Sequence, residues 1–346
     1  VRVLAVAGTV VSTVVGAAGA FLVVGRLTPR PTVKLVRWAF ERGNRATAAG
    51  LRPLVPSGIT ADLGVRYRAD ALLDVYRPDD RTGALPVVIW AHGGGWVSGG
   101  RSDLAPYLQI LAARGFVTVA VDYGLPPTSS YPTPVHQLAD ALAYVSRHAE
   151  RWGVDRDRMV LAGDSAGAQL ASQVAALVTN PQLAAAMDRP APVDPAQLRG
   201  VVLACGTYRL HVGDGAPRAI AWVAERVAWA YWGAADHRRD PRVEQMDTGL
   251  QATADFPRTL LTVGNIDPLR HESERLAARL VELGVETETL FYPPTHEPPL
   301  NHEYQFDLSN DDGRASLDRI AAFVDDCTAG VVPADSQGSA SRPTEG

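Results

Sequence analysis

From about residue 60 onward the chain alternates short β-rich apolar runs with longer stretches of helical periodicity. That alternation predicts an α/β fold with a mostly parallel sheet covered by helices on both faces. Two of the runs, "LPVVIWAH" and "GFVTVAVDY", are apolar almost throughout, as strands buried on both faces are. At 346 residues, 46% hydrophobic and 21% charged, the chain is long and apolar enough for one large α/β unit with an insertion. Its net charge of −5 gives no basic field, which excludes nucleic acid as a partner.

The N-terminal stretch Val3 to Val24 carries no charge. As a helix rising about 1.5 Å per residue it would just cross a hydrocarbon core of about 30 Å, so residues 1–25 are expected to anchor the protein in a membrane. A secretory signal is the rival, because Arg2 gives a minimal basic start and Ala18-Gly19-Ala20 a small-residue cleavage site, which would make the protein secreted. Arg26, Arg30, Lys34, Arg37, Arg42 and Arg45 follow, and the positive-inside bias would leave the globular part on the cytoplasmic side. Residues 26–60 therefore read as a basic amphipathic segment that either lies on a membrane or caps the domain beyond it.

Residues 61–329 carry the α/β pattern. "ALLDVYRP" is an early strand. Between the two apolar runs, "LAPYLQILAARG" has helical spacing and stops at Gly115. Next come the helix "VHQLADALAYVSRHAERWG", the strand "RMVLAG", the helix "AGAQLASQVAALV" and the strand "LRGVVLACG". "RTLLTVG" and "VETETLFY" are strands flanking the helix "HESERLAARLVELG", and "RASLDRIAAFVDDC" is the last helix. Residues from about 209 to 250, with "AIAWVAERVAWAYWG", break the alternation and read as an inserted helical cap. The Ser/Pro/Gly-rich residues 330–346 read as a disordered tail. Cys205 and Cys327 are the only cysteines, and no Cys/His cluster has metal-ligand spacing, so neither a disulfide nor a metal site is expected. Cys205, in "VVLAC", reads as a small buried hydrophobe.

Chemistry concentrates at strand ends. Gly163-Asp164-Ser165-Ala166-Gly167 is a G-x-S-x-G pattern between a strand and a helix, where small neighbours permit a strained turn that exposes the Ser165 hydroxyl at a helix N-terminus. Three glycines, Gly93 to Gly95, follow the strand "LPVVIWAH". An oxyanion formed by attack on an ester needs backbone amides close by, and the absence of side chains lets Gly94 and Gly95 approach, with Ala166 as a third donor. Neither a P-loop ending nor G-x-G-x-x-G is present, so a phosphate cradle lacks support. His92 is expected to pin the glycine loop, with Gly93, by hydrogen bonding. An activated serine needs a base and an orienting acid, in the chain order Ser, Asp, His for this kind of sheet. Asp267, in the turn "NIDPL" after a strand, is the expected acid. His296 and His302 both follow the last strand, and His302 is the favoured base with His296 the alternative. Trp96, Trp222, Trp229 and Trp232 either line an apolar acyl site or pack the cap onto the sheet. No cofactor is needed for such chemistry.

Read together, "HGGGW", "GDSAG", "GNIDPL" and "HEYQF" resemble the hormone-sensitive-lipase-like branch of the α/β-hydrolases, which includes many bacterial carboxylesterases. The resemblance runs from about residue 70 to 327. It implies the α/β-hydrolase fold with a helical cap and a serine esterase acting on a small-molecule or lipid ester. It also implies Ser165 as nucleophile, Asp267 orienting His302, an aromatic residue (Phe306) close beyond that histidine, and Gly94, Gly95 and Ala166 as the oxyanion hole. Two features depart from the family pattern: "DYGLPPT" has Gly124 where an arginine is usual, and the base loop is longer than usual. The same resemblance supplies a rival, a small-ligand receptor such as the plant gibberellin receptors, which have lost the histidine that this chain keeps. A membrane-tethered adhesion protein on the same fold would need no intact triad.

Overall fold

The computed structural model describes residues 24–210 and 217–329. Eight strands form one sheet in the order β1-β2-β4-β3-β5-β6-β7-β8. They are β1 (Ile59–Arg68), β2 (Ala71–Pro78), β3 (Leu85–Ala91), β4 (Val117–Val121), β5 (Val154–Asp164), β6 (Leu198–Ala204), β7 (Thr259–Val263) and β8 (Thr287–Phe291). β1 and β2 are antiparallel to their neighbours, and every pairing from β4 to β8 is parallel. The continuous apolar runs are explained by two-sided burial. Along β3, Val87, Ile89 and Ala91 belong to one core layer, and Val88 and Trp90 to the other.

The described residues hold seven longer helices, α1 (Arg30–Leu51), α2 (Arg101–Ala112), α3 (Thr133–Arg147), α4 (Ala166–Thr179), α5 (Arg218–Trp232), α6 (Arg270–Glu282) and α7 (Asp311–Thr328); five flank the sheet, while α1 and α5 pack against each other. α2 and α7 supply the second layer through Tyr107, Leu108, Leu111, Ile320 and Phe323. α3, α4 and α6 cover the opposite face with Leu138, Leu142, Leu170, Val174 and Leu276. α4 is buried along its whole length, because the sheet lies on one side of it and α3 and the segments between β6 and β7 on the other. The α/β reading of the sequence is thus borne out.

The edge strand β1 is a difference from the sequence reading. It is largely exposed and has no apolar run to betray it; its backbone pairing with β2 makes it a strand. The basic segment is also more regular than expected, since α1 runs without a break through Trp38 and Phe40.

The expected membrane anchor is corrected. Among the described residues no helix is long and apolar enough to cross a membrane. The charge-free stretch lies outside the described residues up to residue 23, as do residues 330–346. α1 carries buried residues at only four positions and is studded with arginine, so its mean hydropathy is that of a surface helix.

Candidate active site

The serine sits where β5 hands over to α4. Ser165 follows the last residue of β5, precedes the first of α4, and has φ 52° and ψ −118°, a conformation strained for a side-chain-bearing residue. Crowding makes the flanking glycines necessary: a Cβ on Gly163 would come within 2.4 Å of the Gly167 backbone, and one on Gly167 within 2.1 Å of the Ala91 carbonyl oxygen. The Ser165 amide donates to the Ala204 carbonyl at the end of β6, 2.8 Å away, which fixes the turn to the sheet.

Two loops from the far half of the chain complete a hydrogen-bonded row. His302 Nε2 lies 2.9 Å from Ser165 Oγ, and His302 Nδ1 lies 2.8 Å from Asp267 Oδ2. Asp267 is fully buried on its side chain, and its Oδ1 accepts the Leu269 amide at 2.7 Å, so only one oxygen is left to face the imidazole. Asn265 locks the two loops together, accepting the Leu300 amide at 2.7 Å and donating to the His296 carbonyl at 3.1 Å. Gly264 allows that closeness, since a Cβ there would meet Leu300 O at 2.2 Å. The sequence singled out neither Asn265 nor Gly264, though the G-N-I-D turn contains both.

His296, the alternative base, is directed elsewhere: its Nε2 pairs with Asp312 Oδ2 of α7 at 2.9 Å. Phe306 packs edge-on against Tyr107 at 4.8 Å and lies 6.2 Å from Trp90, beneath the loop that carries His302.

The glycine loop meets the serine turn through Asp164. Its Oδ2 accepts the Gly93 amide and its Oδ1 accepts Trp90 Nε1, each at 2.8 Å. The Gly93 amide is therefore engaged, while Gly94 and Gly95 adopt φ 109° and 59°. A Cβ on Gly94 would lie 2.3 Å from Ser98 O, so the loop closes tightly on itself. Ala166 begins α4, where the first amides have no intrahelical acceptor. His92 is buried, shares a 2.8 Å hydrogen bond with Gly93 O through Nδ1, and stacks on Tyr123 at 4.2 Å. Burial pulls its pKa down, which keeps it neutral.

Of the four tryptophans named from the sequence, Trp96 is buried at φ 60°, stacks on Tyr231 at 4.9 Å and donates to Gln169 Oε1 at 3.2 Å. Trp232 stacks on Tyr131 at 4.2 Å and donates to Asp240 Oδ2 at 3.0 Å. Trp222 and Trp229 lie half-buried around the Arg226 guanidinium, 5.6 and 5.1 Å away.

Cys205 is the residue that sequence reading underrated. It follows the last residue of β6 at φ 43°, fully buried, and its sulfur lies with Asp267 and His302 in a group whose potential ligand atoms fall within 4.8 Å of one another. Both His302 nitrogens are engaged, one with Ser165 and one with Asp267, so the group reads as a hydrogen-bonded row with a thiol beside it. Burial pushes the Cys205 thiol up, so it is uncharged at neutral pH. For His302, burial opposes the charge, but the neighbouring Cys205 and Asp267 outweigh it and raise the imidazole above the ordinary histidine range. With the thiol uncharged, Asp267 is the cause we assign.

A serine on a strand–turn–helix elbow, hydrogen-bonded to a histidine that an aspartate orients, with all three at the carboxyl ends of a parallel sheet, defines an α/β-hydrolase type of site. Known proteins agree at the level of the fold. A family model described as alpha/beta hydrolase fold matches residues 88–296, so the chain belongs to that family, as the sequence resemblance implied. Among relatives, an esterase of Gibberella moniliformis is 27% identical over 65% of this chain and 67% of its own length. The carboxylesterase NlhH of Mycobacterium tuberculosis is 35% identical over 39% of this chain and 45% of its own. A protein of Acanthamoeba polyphaga mimivirus named as an alpha/beta hydrolase is 28% identical over 62% of this chain and 61% of its own. The match thus spans about half to two-thirds of these relatives. The crystal structure of esterase B from Lactobacillus rhamnosis superposes with a TM-score of 0.75 at 21% identity, covering 87% of this chain and 96% of that one.

Proposed function

We propose that the protein is a carboxylic ester hydrolase that works through an acyl-enzyme. The observation that carries this reading is the imidazole of His302 held 2.9 Å from Ser165 Oγ on one side and 2.8 Å from Asp267 on the other. His302 takes the proton of Ser165 as the hydroxyl attacks the ester carbonyl, and Asp267 stabilises the imidazolium. The amides of Gly94, Gly95 and Ala166 hold the oxyanion, and removing one such donor in a well-studied protease costs about 2.7–4 kcal/mol. The imidazolium then protonates the departing alcohol, and water repeats the sequence on the acyl-enzyme. The names of relatives that are esterases support the substrate class.

Single substitutions test the assignment with a short p-nitrophenyl ester. Ser165→Ala is expected to abolish turnover and fluorophosphonate labelling while leaving the fold intact. His302→Ala is expected to lose several orders of magnitude (roughly 10³-fold or more), and His296→Ala to stay near the parent rate because Asp312 holds that ring apart. Normal hydrolysis by Ser165→Ala would refute the nucleophile, and a crippled His296→Ala beside an active His302→Ala would exchange the base. Covalent labelling of Ser165 would also exclude a pure receptor.

A further inference from the structure

We infer that Glu303 is a positioning residue for this reaction: it shares a proton with Asp164, and the shared proton ties the loop carrying His302 to the serine elbow and the glycine loop. The inference rests on the proposed hydrolase reading for its catalytic consequence but not for the pair itself.

The two carboxyl groups meet at Gly93. A Cβ placed on Gly93 would lie 2.3 Å from Asp164 Oδ2 and 2.9 Å from Glu303 Oε1, so both oxygens converge on the face of the glycine loop that lacks a side chain. Asp164 is buried and within hydrogen-bonding reach of Glu303. Two carboxylates at that separation repel strongly, whereas one proton between them makes a charge-assisted hydrogen bond. Glu303 also holds φ 60°, a left-handed conformation unusual for a residue with a side chain, and such strain persists only where surrounding contacts enforce it. The adjoining cavity has a volume of ≈ 30 Å³ and includes Asn44, Asp103 and Tyr107 in its wall. It admits about one water, too little to solvate a charge on buried Asp164, whereas Glu303 keeps 30% of its side chain exposed and also lines a groove of ≈ 770 Å³.

Burial first, and the Glu303 charge second, push the Asp164 carboxyl well above the ordinary carboxylate range, against the opposing hydrogen bonds from Trp90 and Gly93. Asp164 therefore carries the proton and donates it to Glu303. The other titratable groups facing the pair are Asp103 and Tyr107 of α2, His92 of the glycine loop and Tyr123 after β4. Cys205 after β6 and His302, whose Nε2 is 3.9 Å from Glu303 Oε1, complete the surroundings. A second negative charge here would also sit beside the oxyanion-binding amides, where it would oppose the charge that develops during attack.

The step is a proton held in place, with no bond made or broken to substrate. Its sign in pH follows from the raised Asp164 pKa. The folded state binds a proton that the unfolded chain has released, so stability is full below the ordinary carboxylate range and declines as pH rises through the folded pKa. Loss of the proton also frees the three loops, so activity falls on the alkaline side.

Glu303→Gln tests this, because its amide donates to Asp164 and cannot ionise, whereas Glu303→Ala removes the tie. With a p-nitrophenyl ester at neutral pH, Glu303→Gln is expected to keep kcat/KM within about threefold of the parent, and Glu303→Ala to fall at least about tenfold. The parent's alkaline decline is expected to flatten in Glu303→Gln. Equal losses in both variants, or coincident alkaline limbs for the parent and Glu303→Gln, would overturn the inference in favour of a simple charge effect on His302. An independent readout uses Ser165→Ala with and without Glu303→Gln. Above the ordinary carboxylate range the melting temperature should decline more shallowly with rising pH when glutamine is present, and identical slopes would overturn the shared proton. If the parent hydrolysed no ester, the functional proposal would fail while this thermal comparison still judged the pair.

Discussion

Asp267 shows how much one oxygen atom decides. Oδ1 accepts the Leu269 amide and Oδ2 faces His302 Nδ1, so the carboxylate does two jobs that an amide cannot do at once. In Asp267→Asn the single side-chain oxygen must abandon either the turn or the imidazole, and an NH₂ facing Nδ1 imposes the wrong tautomer. A loss of roughly 10²–10⁴-fold in kcat/KM is expected, the upper figure being that of the equivalent change in a serine protease. The pH profile distinguishes this from misfolding. The proposed base His302 would act only when neutral and Asp267 raises its pKa, so parent activity is expected to climb with pH through a region above about 6.5. Asp267→Asn should move that rise to lower pH, and an unmoved acid limb would mean that Asp267 does not set the base. At this scale the sequence was informative wherever function forces a local rule. Glycines flanking a strained serine and three glycines after a strand are such rules, and Ser165 and Gly94 could be named from them, as Asp267 could from its turn after a strand. Glu303 and Cys205 obey none, because their partners lie 139 and 97 residues away in the chain; only folding sets the carboxyl of Glu303 beside Asp164, or Cys205 beside His302.

Among the elements, α1 is the one whose role the sequence left open between a membrane surface and a cover for the domain. Its inner face is specific. Arg37 donates from Nε to Val97 O at 2.7 Å and from Nη2 to Pro126 O at 2.6 Å, joining the glycine loop to the segment after β4. Asn44 donates to Asp103 at 3.1 Å, and Phe40 would be 3.3 Å from a Cβ on Gly95. α1 thus lies against the glycine loop. Arg37→Ala removes two charge-assisted bonds and leaves two carbonyls short of a partner. A destabilisation of about 1.5–3 kcal/mol in urea unfolding is expected, with a lower kcat and continued fluorophosphonate labelling of Ser165. Arg37→Lys, a point charge without the planar fork, should recover only part of the loss. An unchanged midpoint and rate would show that the helix lies idle on the surface. β1 was invisible in the sequence for the complementary reason: an exposed edge strand is defined by backbone pairing, which leaves no hydrophobic alternation to read.

At the scale of the whole molecule, the proposed chemistry depends on strands that are distant in sequence ending level with one another. Ala91 pairs in register with Gly163, Gly163 with Leu203, and Ala204 with Thr262, so the glycine loop, the serine elbow, Cys205 and the acid turn all leave the sheet at one edge. Parallel pairing of strands buried on both faces explains why the apolar runs announced this architecture, while the meeting of their loops had to await the register. It also predicts where stability resides. β3, β5 and β6 are sealed by both core layers, so their amides open only when the sheet does, whereas α1 has four buried residues and a handful of polar ties. In native-state hydrogen exchange, the amides of Ile89, Leu161 and Val202 are expected to exchange with the free energy of global unfolding from denaturant titration. Those of α1 should exchange through a cheaper local opening, by several kcal/mol for a domain whose stability is about 5–15 kcal/mol. If α1 proved as protected as β5, the helix would be an integral layer of the core and the tie through Arg37 would account for little of its attachment.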